Sequence, residues 1–288
     1  MQFENPPSPP AGGLRAMAWR RRFDVEILRG SENISYSEEV RERANSPGPW
    51  SLYLFSRLEH PVIRGQIESV IFEAGRGRYS KERIAREYDE RLAKIKSFTH
   101  ISFGKRRSHT TEDTFGPKEI ISLRAIKRET GKTCLWKRLH ISEAHEKGHV
   151  MRFEYSVEWI PPFRSQKECV LSGLFGQAFD FSCVEFTEEE YQNYRVGSSA
   201  CPKISDREIR KMWIDDISSP YELAERMSQL KNYFGFCGDE IFTREHLWYV
   251  RENYIQDTNY DNAMFPFFSA ILSNKEDAFL ELMNSVGI

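Results

Sequence analysis

The feature that most constrains the fold is a run of alternating apolar and polar residues near the middle of the chain, Val150–Trp159. The odd-numbered positions from 151 to 159 are apolar, and the even-numbered positions between them are polar. A period of two is typical of an antiparallel strand with one buried face and one face in water. The pattern therefore predicts a half-buried strand over Val150–Ile160, and with it an antiparallel sheet.

Other short apolar segments predict further strands for this sheet. They are Phe23–Leu28, Ser51–Leu58, Phe98–Phe103, Glu119–Arg128, Thr133–Ile141 and Ala178–Phe186. The spacing of Glu119–Arg128, Thr133–Ile141 and Val150–Ile160 is short enough for consecutive strands to pair as a meander. We therefore expect an antiparallel meander at the centre of the domain.

Helical patterns flank these strands. Pro61 suits the first turn of a helix that runs to about Ala74. Ser80 is placed to cap a second helix, whose apolar stripe is Ile84, Tyr88, Leu92 and Ile95. Ser219-Pro220 begins a later helix with Leu223, Met227 and Leu230 in register.

Together these segments predict an α+β fold, an antiparallel sheet (meander) with flanking helices, followed by a mainly helical C-terminal part. The expected divisions are a flexible Pro/Gly-rich tail over 1–14, an α+β domain over 15–202 and a helical subdomain over 203–288.

Composition narrows the class of protein. No apolar run reaches the roughly 20 residues that a membrane-spanning helix needs. The five cysteines are odd in number and none forms a C-x-x-C pair, so we expect no disulfides and no cofactor held by cysteine. The sequence favours a cytoplasmic or otherwise intracellular protein, with a nuclear location left open, and gives no reason to expect a membrane partner.

The letters His145-Glu-Lys-Gly-His149 match the zinc-peptidase pattern H-E-x-x-H. That chemistry needs a helix, which puts both histidines on one face and the glutamate beside a bound zinc ion. Gly148 disfavours a helix, and the flanking segments read as strands. Glu168 is the nearest acidic residue beyond the strand that could be a third ligand. We therefore interpret His145, Glu146 and His149 as a chance match in a turn and expect no metal site, with a zinc-dependent hydrolase as a remote alternative.

Two His-x-Ser triplets form a second candidate site, His100-Ile-Ser102 and His140-Ile-Ser142. In a strand, residues two apart share a face, so each His would lie beside its Ser. The pairs resemble the signature of the 2H phosphoesterases. That resemblance implies cleavage of a phosphodiester in RNA or nucleotides, with one His as base and the other as acid.

Charge is distributed unevenly along the chain. Residues 1–150 carry 28 Lys and Arg against 20 Asp and Glu, whereas residues 151–288 carry 13 against 23. Such asymmetry indicates either a phosphate-binding surface or a basic half that docks on an acidic half. The candidate binding residues are Arg124, Arg128, Arg138, Arg152, Lys105, Arg106 and Arg107.

We therefore favour a binding or regulatory protein that acts on a macromolecular partner, either protein or RNA. The alternative is the phosphoesterase that uses His100, Ser102, His140 and Ser142. No cofactor is expected, and the sequence leaves open whether the protein is an enzyme.

Overall fold

A computed structural model describes residues 36–44, 49–75, 78–97, 101–103, 109–113, 116–121, 139–149, 151, 170–185, 205–258 and 264–288. The chain divides into two units, Met1–Ser37 and Glu38–Ile288. The helices and strands below all lie in the second unit. The predicted tail and the predicted strand at Phe23–Leu28 lie outside the described residues, and the predicted boundary at 202/203 stays a prediction.

Helices dominate the described part of the chain. They are α1 (Glu38–Ala44), α2 (Trp50–Glu59), α3 (Pro61–Ala74), α4 (Lys81–Ser97), α5 (139–149), α6 (Val170–Ala178), α7 (Asp206–Ile217), α8 (Pro220–Tyr233), α9 (Arg244–Asp257), α10 (Met264–Ala270) and α11 (Glu276–Ser285). Short 3-10 turns cover Phe181–Cys183 and Ser273–Lys275.

The described β-structure is one small sheet of three short strands. They are β1 (Ile101–Phe103), β2 (His109–Asp113) and β3 (Gly116–Ile121), in the order β1-β3-β2. β1 runs parallel to β3, and β2 runs antiparallel to it. The prediction of an α+β fold built on an antiparallel meander is therefore wrong, because the described residues are mainly helical and this sheet is small and of mixed direction.

Several predicted strands are helices instead. Ser51–Leu58 lies within α2, where Trp50, Leu54 and Leu58 recur every four residues and are all buried. That spacing puts them on one helix face, and the apolar character of the run alone does not distinguish a helix from a strand. Thr133–Ile141 ends inside α5, and the described part of Ala178–Phe186 is a helix end followed by a 3-10 turn. Of the predicted strand Val150–Ile160, the structure describes only Met151, which is helical and buried.

Three helix predictions are confirmed. α3 spans Pro61–Ala74 as predicted. α4 follows Ser80, whose hydroxyl accepts a hydrogen bond from the Arg83 backbone N–H at 3.2 Å, and the four residues of its predicted stripe are buried. α8 follows Ser219, whose hydroxyl accepts from the Glu222 backbone N–H. Local capping and a clear apolar stripe were sufficient to locate these helices.

α8 is the central helix of this part of the fold, since every residue from Leu223 to Tyr233 is buried. α2 packs on it through the buried guanidinium of Arg57, which donates to the Asn232 side-chain oxygen at 2.7 Å and to the Ser228 hydroxyl at 2.9 Å. It also donates to the Phe236 carbonyl at 2.7 Å. These bonds hold α8 in place beside α5. Among the described residues, no helix combines the length and apolar character needed to cross a membrane.

Candidate metal centre

The H-E-x-x-H motif lies on helix α5, so its interpretation as a turn between strands is wrong. His145 and His149 are four residues apart and project from one face of the helix. Their rings meet edge to face with centroids 4.5 Å apart, and their Nε2 atoms lie 2.9 Å apart. The helical setting that the zinc chemistry requires is therefore present.

Packing explains why this segment is helical despite its glycine. Ile141, Ala144 and Gly148 recur at three- and four-residue steps and are buried. On another side, the Lys147 ammonium pairs with the Glu143 carboxylate and lies 5.4 Å from the centre of the Phe55 ring. Tertiary burial of this face outweighs the intrinsic helix cost of one glycine, which is about 1 kcal/mol.

Glu222, in the first turn of α8, completes the group. Its carboxylate oxygens lie 3.5 Å from the Nε2 atom of His145 and 3.3 Å from that of His149. One ligand atom from each of the three residues falls within 4.8 Å of the others. Two ligands of a tetrahedral zinc ion, each about 2.0–2.1 Å from the metal, are about 3.3 Å apart. The carboxylate–imidazole separations are close to that value and the 2.9 Å between the two Nε2 atoms is shorter, so small side-chain shifts would let the donor set hold a zinc ion.

Gln229 orients the first histidine. Its side-chain oxygen lies 3.1 Å from the Nδ1 atom of His145, and its amide N–H donates to the Tyr254 hydroxyl at 3.4 Å. An amide oxygen can only accept, so the Nδ1 N–H donates to it, which in a neutral imidazole leaves the Nε2 lone pair available to a metal ion. This is the tautomer that a metal ligand needs.

Arg226 sits one helical turn after Glu222 and contacts it directly. Its guanidinium donates to the Glu222 carboxylate at 3.1 Å and also approaches the Met264 sulfur at 4.0 Å. Arg226 is itself buried. The contact therefore fixes the carboxylate in a position where it can face the two imidazoles.

The charges of the group are strongly coupled. Burial by itself lowers the pKa of His149, but the hydrogen bond and charge of Glu222, with the charges of Glu225 and Glu146, outweigh burial and raise that pKa to about 9. Burial acts to raise the pKa of Glu222, yet hydrogen bonds from His145 and His149 and the charges of His149 and Arg226 hold it well below its usual value. Without metal, a proton on His149 therefore supplies the positive charge that the carboxylates attract.

The second His-x-Ser triplet does not lie on a strand as predicted. His140 and Ser142 lie on α5, where residues two apart point to different faces, so the predicted strand placement is wrong. Ser102 is in β1, and His100 lies outside the described residues. The shared face that motivated the phosphoesterase is therefore absent for the second triplet, and we do not carry that alternative further.

The predicted basic surface cannot be placed on this fold. Its residues all lie outside the described ranges: Lys105, Arg106, Arg107, Arg124, Arg128, Arg138 and Arg152. Binding to a protein or RNA partner through that surface stays a prediction.

Sequence reasoning missed Glu222 and Gln229. The search for a third ligand went to Glu168, the nearest acid downstream, which lies outside the described residues. A signal did exist, because Glu222 stands in the first turn of a helix whose start was predicted from Ser219-Pro220. Its pairing with α5 is a long-range contact that local patterns do not encode.

Comparisons with models of protein families, with curated proteins and with solved structures found no match to this chain.

Proposed function

We propose that this protein is a zinc-dependent hydrolase with His145, His149 and Glu222 as the metal ligands. The observation that carries the proposal is the convergence of two imidazoles from α5 and one carboxylate from α8 within 4.8 Å. Two histidines and a glutamate, with a fourth position open, form a ligand set that catalytic zinc sites use. The sequence by itself supported a zinc-dependent hydrolase only as a remote alternative.

The donor chemistry favours zinc over the hard cations. Calcium takes six to eight oxygen ligands, and magnesium keeps several waters around a few carboxylates. Two imidazole nitrogens and one carboxylate oxygen suit a borderline ion such as Zn²⁺ instead. Glu222 keeps 25% of its side-chain surface exposed and His149 keeps 12%, so the proposed ligands are not sealed from solvent.

Glu146 is the general base of the proposed reaction. It follows the first ligand directly in the motif, is buried, and its charge acts on His149. When bound, zinc acts as a Lewis acid and activates a water molecule. Glu146 would serve as the general base that takes a proton from the attacking water and returns it to the leaving group.

Two further residues position the ligands. Gln229 holds His145 in the tautomer with a free Nε2 lone pair, and Arg226 holds Glu222 ionised and facing the histidines. Both act through a ligand and not on the substrate. We propose a peptide bond as the scissile bond, since H-E-x-x-H on a helix is the pattern of zinc peptidases.

A peptide substrate agrees with the protein partner predicted from the sequence. We also propose an intracellular location. Cys183 and Cys237 are free thiols, which is the usual state of cysteines in a reducing compartment.

Metal analysis combined with a cleavage assay tests this function. Purified protein is expected to bind one zinc ion per chain and to cleave a mixed fluorogenic peptide library, with cleavage lost in 1,10-phenanthroline and restored by zinc. Glu146→Gln is the matched control, because it should keep the zinc ion and lose cleavage. A wild-type protein that binds no zinc, or cleavage that survives in Glu146→Gln, would contradict the proposal.

A further inference from the structure

Helix α9 begins with a pair of capping contacts that depend on a histidine. Thr243 is the N-cap residue, and its hydroxyl accepts a hydrogen bond from the His246 backbone N–H at 3.5 Å. In return, the Thr243 backbone N–H donates to the Nδ1 atom of His246 at 3.1 Å. The imidazole thus takes the part that a Glu or Gln side chain has in the usual capping box.

These contacts determine which ring nitrogen of His246 carries the proton. A backbone N–H can only donate, so Nδ1 must accept with its lone pair. The proton of the neutral ring is therefore on Nε2, which is buried and has no hydrogen-bond partner among the described residues. The cap is compatible with one tautomer of the neutral imidazole.

The ring of His246 lies inside a cluster of phenyl rings. Its centroid is 4.6 Å from that of Phe234, 5.3 Å from that of Phe236 and 5.4 Å from that of Phe242. Phenyl rings exclude water and offer no lone pair to an N–H group, so this environment disfavours a charged imidazolium.

Charged groups act on His246 from two helices in the described part of the chain. Arg43 of α1 opposes a second positive charge, whereas Glu39 of α1 and Glu245 of α9 favour it. The positive end of the α9 dipole also opposes it. Burial outweighs the two carboxylates and lowers the pKa of His246 to about 4, so the ring is neutral at pH 7.

Protonation of the ring removes the cap, because it changes Nδ1 from an acceptor into a donor. The Thr243 hydroxyl, 2.7 Å away, can turn to accept from the protonated nitrogen. The Thr243 backbone N–H then loses its acceptor, and the new charge stays buried among the phenyl rings. Both costs are relieved when the imidazole moves into water, which requires the first turn of α9 to open.

We propose that His246 is an acid-sensitive latch, whose neutral ring holds the start of α9 on the phenyl cluster and whose protonation opens the first turn. The rest of α9 is held by other contacts, since Arg251 donates to the Glu276 carboxylate and to the Ile271 carbonyl. The opening is therefore local. This device is separate from the proposed zinc chemistry, because the contacts of His246 described above include no proposed ligand.

Two spectroscopic measurements on metal-free protein in EDTA test the latch. The ¹⁵N spectrum of the histidine rings at pH 7.5 should show His246 with the proton on Nε2. Trp248 follows His246 by two residues and donates to Glu276 at 3.3 Å, so it reports on the start of α9. In protein labelled with 5-fluorotryptophan, its ¹⁹F resonance is assigned by Trp248→Phe.

Between about pH 6.5 and 4 we expect a reversible change of the Trp248 resonance, with little change in far-ultraviolet circular dichroism. His246→Gln keeps an acceptor for the Thr243 N–H but cannot be protonated, so the change should be lost. His60→Gln is the matched control, since it removes a histidine outside the cluster, and it should behave as the wild type does.

Three results would overturn the latch. One is a proton on Nδ1 of His246 at pH 7.5, and another is a Trp248 transition that persists in His246→Gln. The third is a wild-type transition that coincides with the loss of helical circular dichroism, because the opening would then be global. Zinc takes no part in these measurements, so each of these results leaves the proposed function standing.

Discussion

The two halves of α8 are buried to a similar degree but surrounded by different chemistry. The first half carries Glu222, which lies beside both histidines of α5, and Arg226, which pairs with Glu222; Gln229, just past the midpoint, contacts His145. The second half ends in Tyr233, followed by Phe234, and joins an aromatic core. That core comprises Tyr233, Phe234, Phe242, Tyr254, Phe267, Phe268 and Phe279, with successive ring centroids 5.0–6.3 Å apart.

The two halves of α8 therefore differ in role: the aromatic half contributes to stability, and the charged half to the proposed function. Aromatic rings at these separations contribute through apolar burial and through favourable ring contacts. Buried charges are often neutral or costly for stability compared with apolar side chains of the same size. We infer that the aromatic core holds α8 in place, and that the charged half is held for the metal.

The largest expected effect is on the charged half. His149→Ala removes one of three ligands and should weaken zinc binding by roughly 300- to 8000-fold, if each ligand contributes a third of the roughly 10–16 kcal/mol typical of tight zinc sites. The metal-free protein should still fold, because the aromatic core is untouched. Isothermal titration with zinc measures the affinity, and circular dichroism checks that the variant is folded. An unchanged zinc affinity would contradict the assignment of the charged half of α8 to metal binding.

A truncation in the aromatic core should have the opposite signature. Phe267 is 1% exposed and contacts Phe179, with centroids 5.2 Å apart. Phe267→Ala should lower the free energy of unfolding by about 3–5 kcal/mol, while zinc affinity in the folded protein changes little. Urea denaturation with zinc titration below the transition measures both, and a large loss of affinity at constant stability would contradict the separation of roles.

A smaller effect is expected where the two halves meet. Gln229 links His145 to Tyr254, and Tyr254 belongs to the aromatic core. Gln229→Leu keeps the volume and removes the acceptor for Nδ1, so zinc affinity should fall about 10–100-fold. Tyr254→Phe is the milder companion, since it removes only the hydroxyl that holds the amide. If Gln229→Leu binds zinc as the wild type does, Gln229 does not orient the ligand.

In the pH dependence of stability, two histidines should act in opposite directions. The pKa of His149 is raised to about 9, so in metal-free protein its contribution to stability is full below about pH 6.5 and is lost as the pH rises through 9. Burial lowers the pKa of His246 to about 4, so its contribution is lost as the pH falls from about 6.5 through 4.

Chemical denaturation in EDTA from pH 4 to 9.5 measures the free energy of unfolding across both transitions, the alkaline limb above pH 6.5 and the acidic limb below it. His149→Gln should flatten the alkaline limb alone, and His246→Gln the acidic limb alone. An alkaline limb that persists in His149→Gln would assign it to another group.

Helices could be predicted from the sequence where a capping residue and an apolar stripe are both present locally. α4 has a serine cap and a stripe of four buried residues, and both were legible in the sequence. α2 was misassigned because its apolar run Ser51–Leu58 fits a strand or a helix, and only the buried face shared by Trp50, Leu54 and Leu58 decides between them. Short apolar runs are ambiguous for this physical reason.

The site was harder to predict because its decisive contacts are not local. Gly148 argued against a helix on propensity alone, yet the structure shows that it faces Glu225 of a distant helix. Glu222 and Gln229 have unremarkable sequence surroundings, and their role arises only where α8 packs on α5. The motif letters were therefore visible in the sequence, while the ligand set was not.

X-ray absorption at the zinc K-edge tests the central claim most directly, since it reports the atoms around the metal. For protein loaded with one equivalent of zinc, we predict a first shell of nitrogen and oxygen at about 2.0–2.1 Å with the outer-shell scattering of two imidazoles. One imidazole should disappear in His149→Ala at zinc levels that force binding. A sulfur shell near 2.3 Å, or an imidazole signal unchanged when both His145 and His149 are replaced by alanine, would contradict the account.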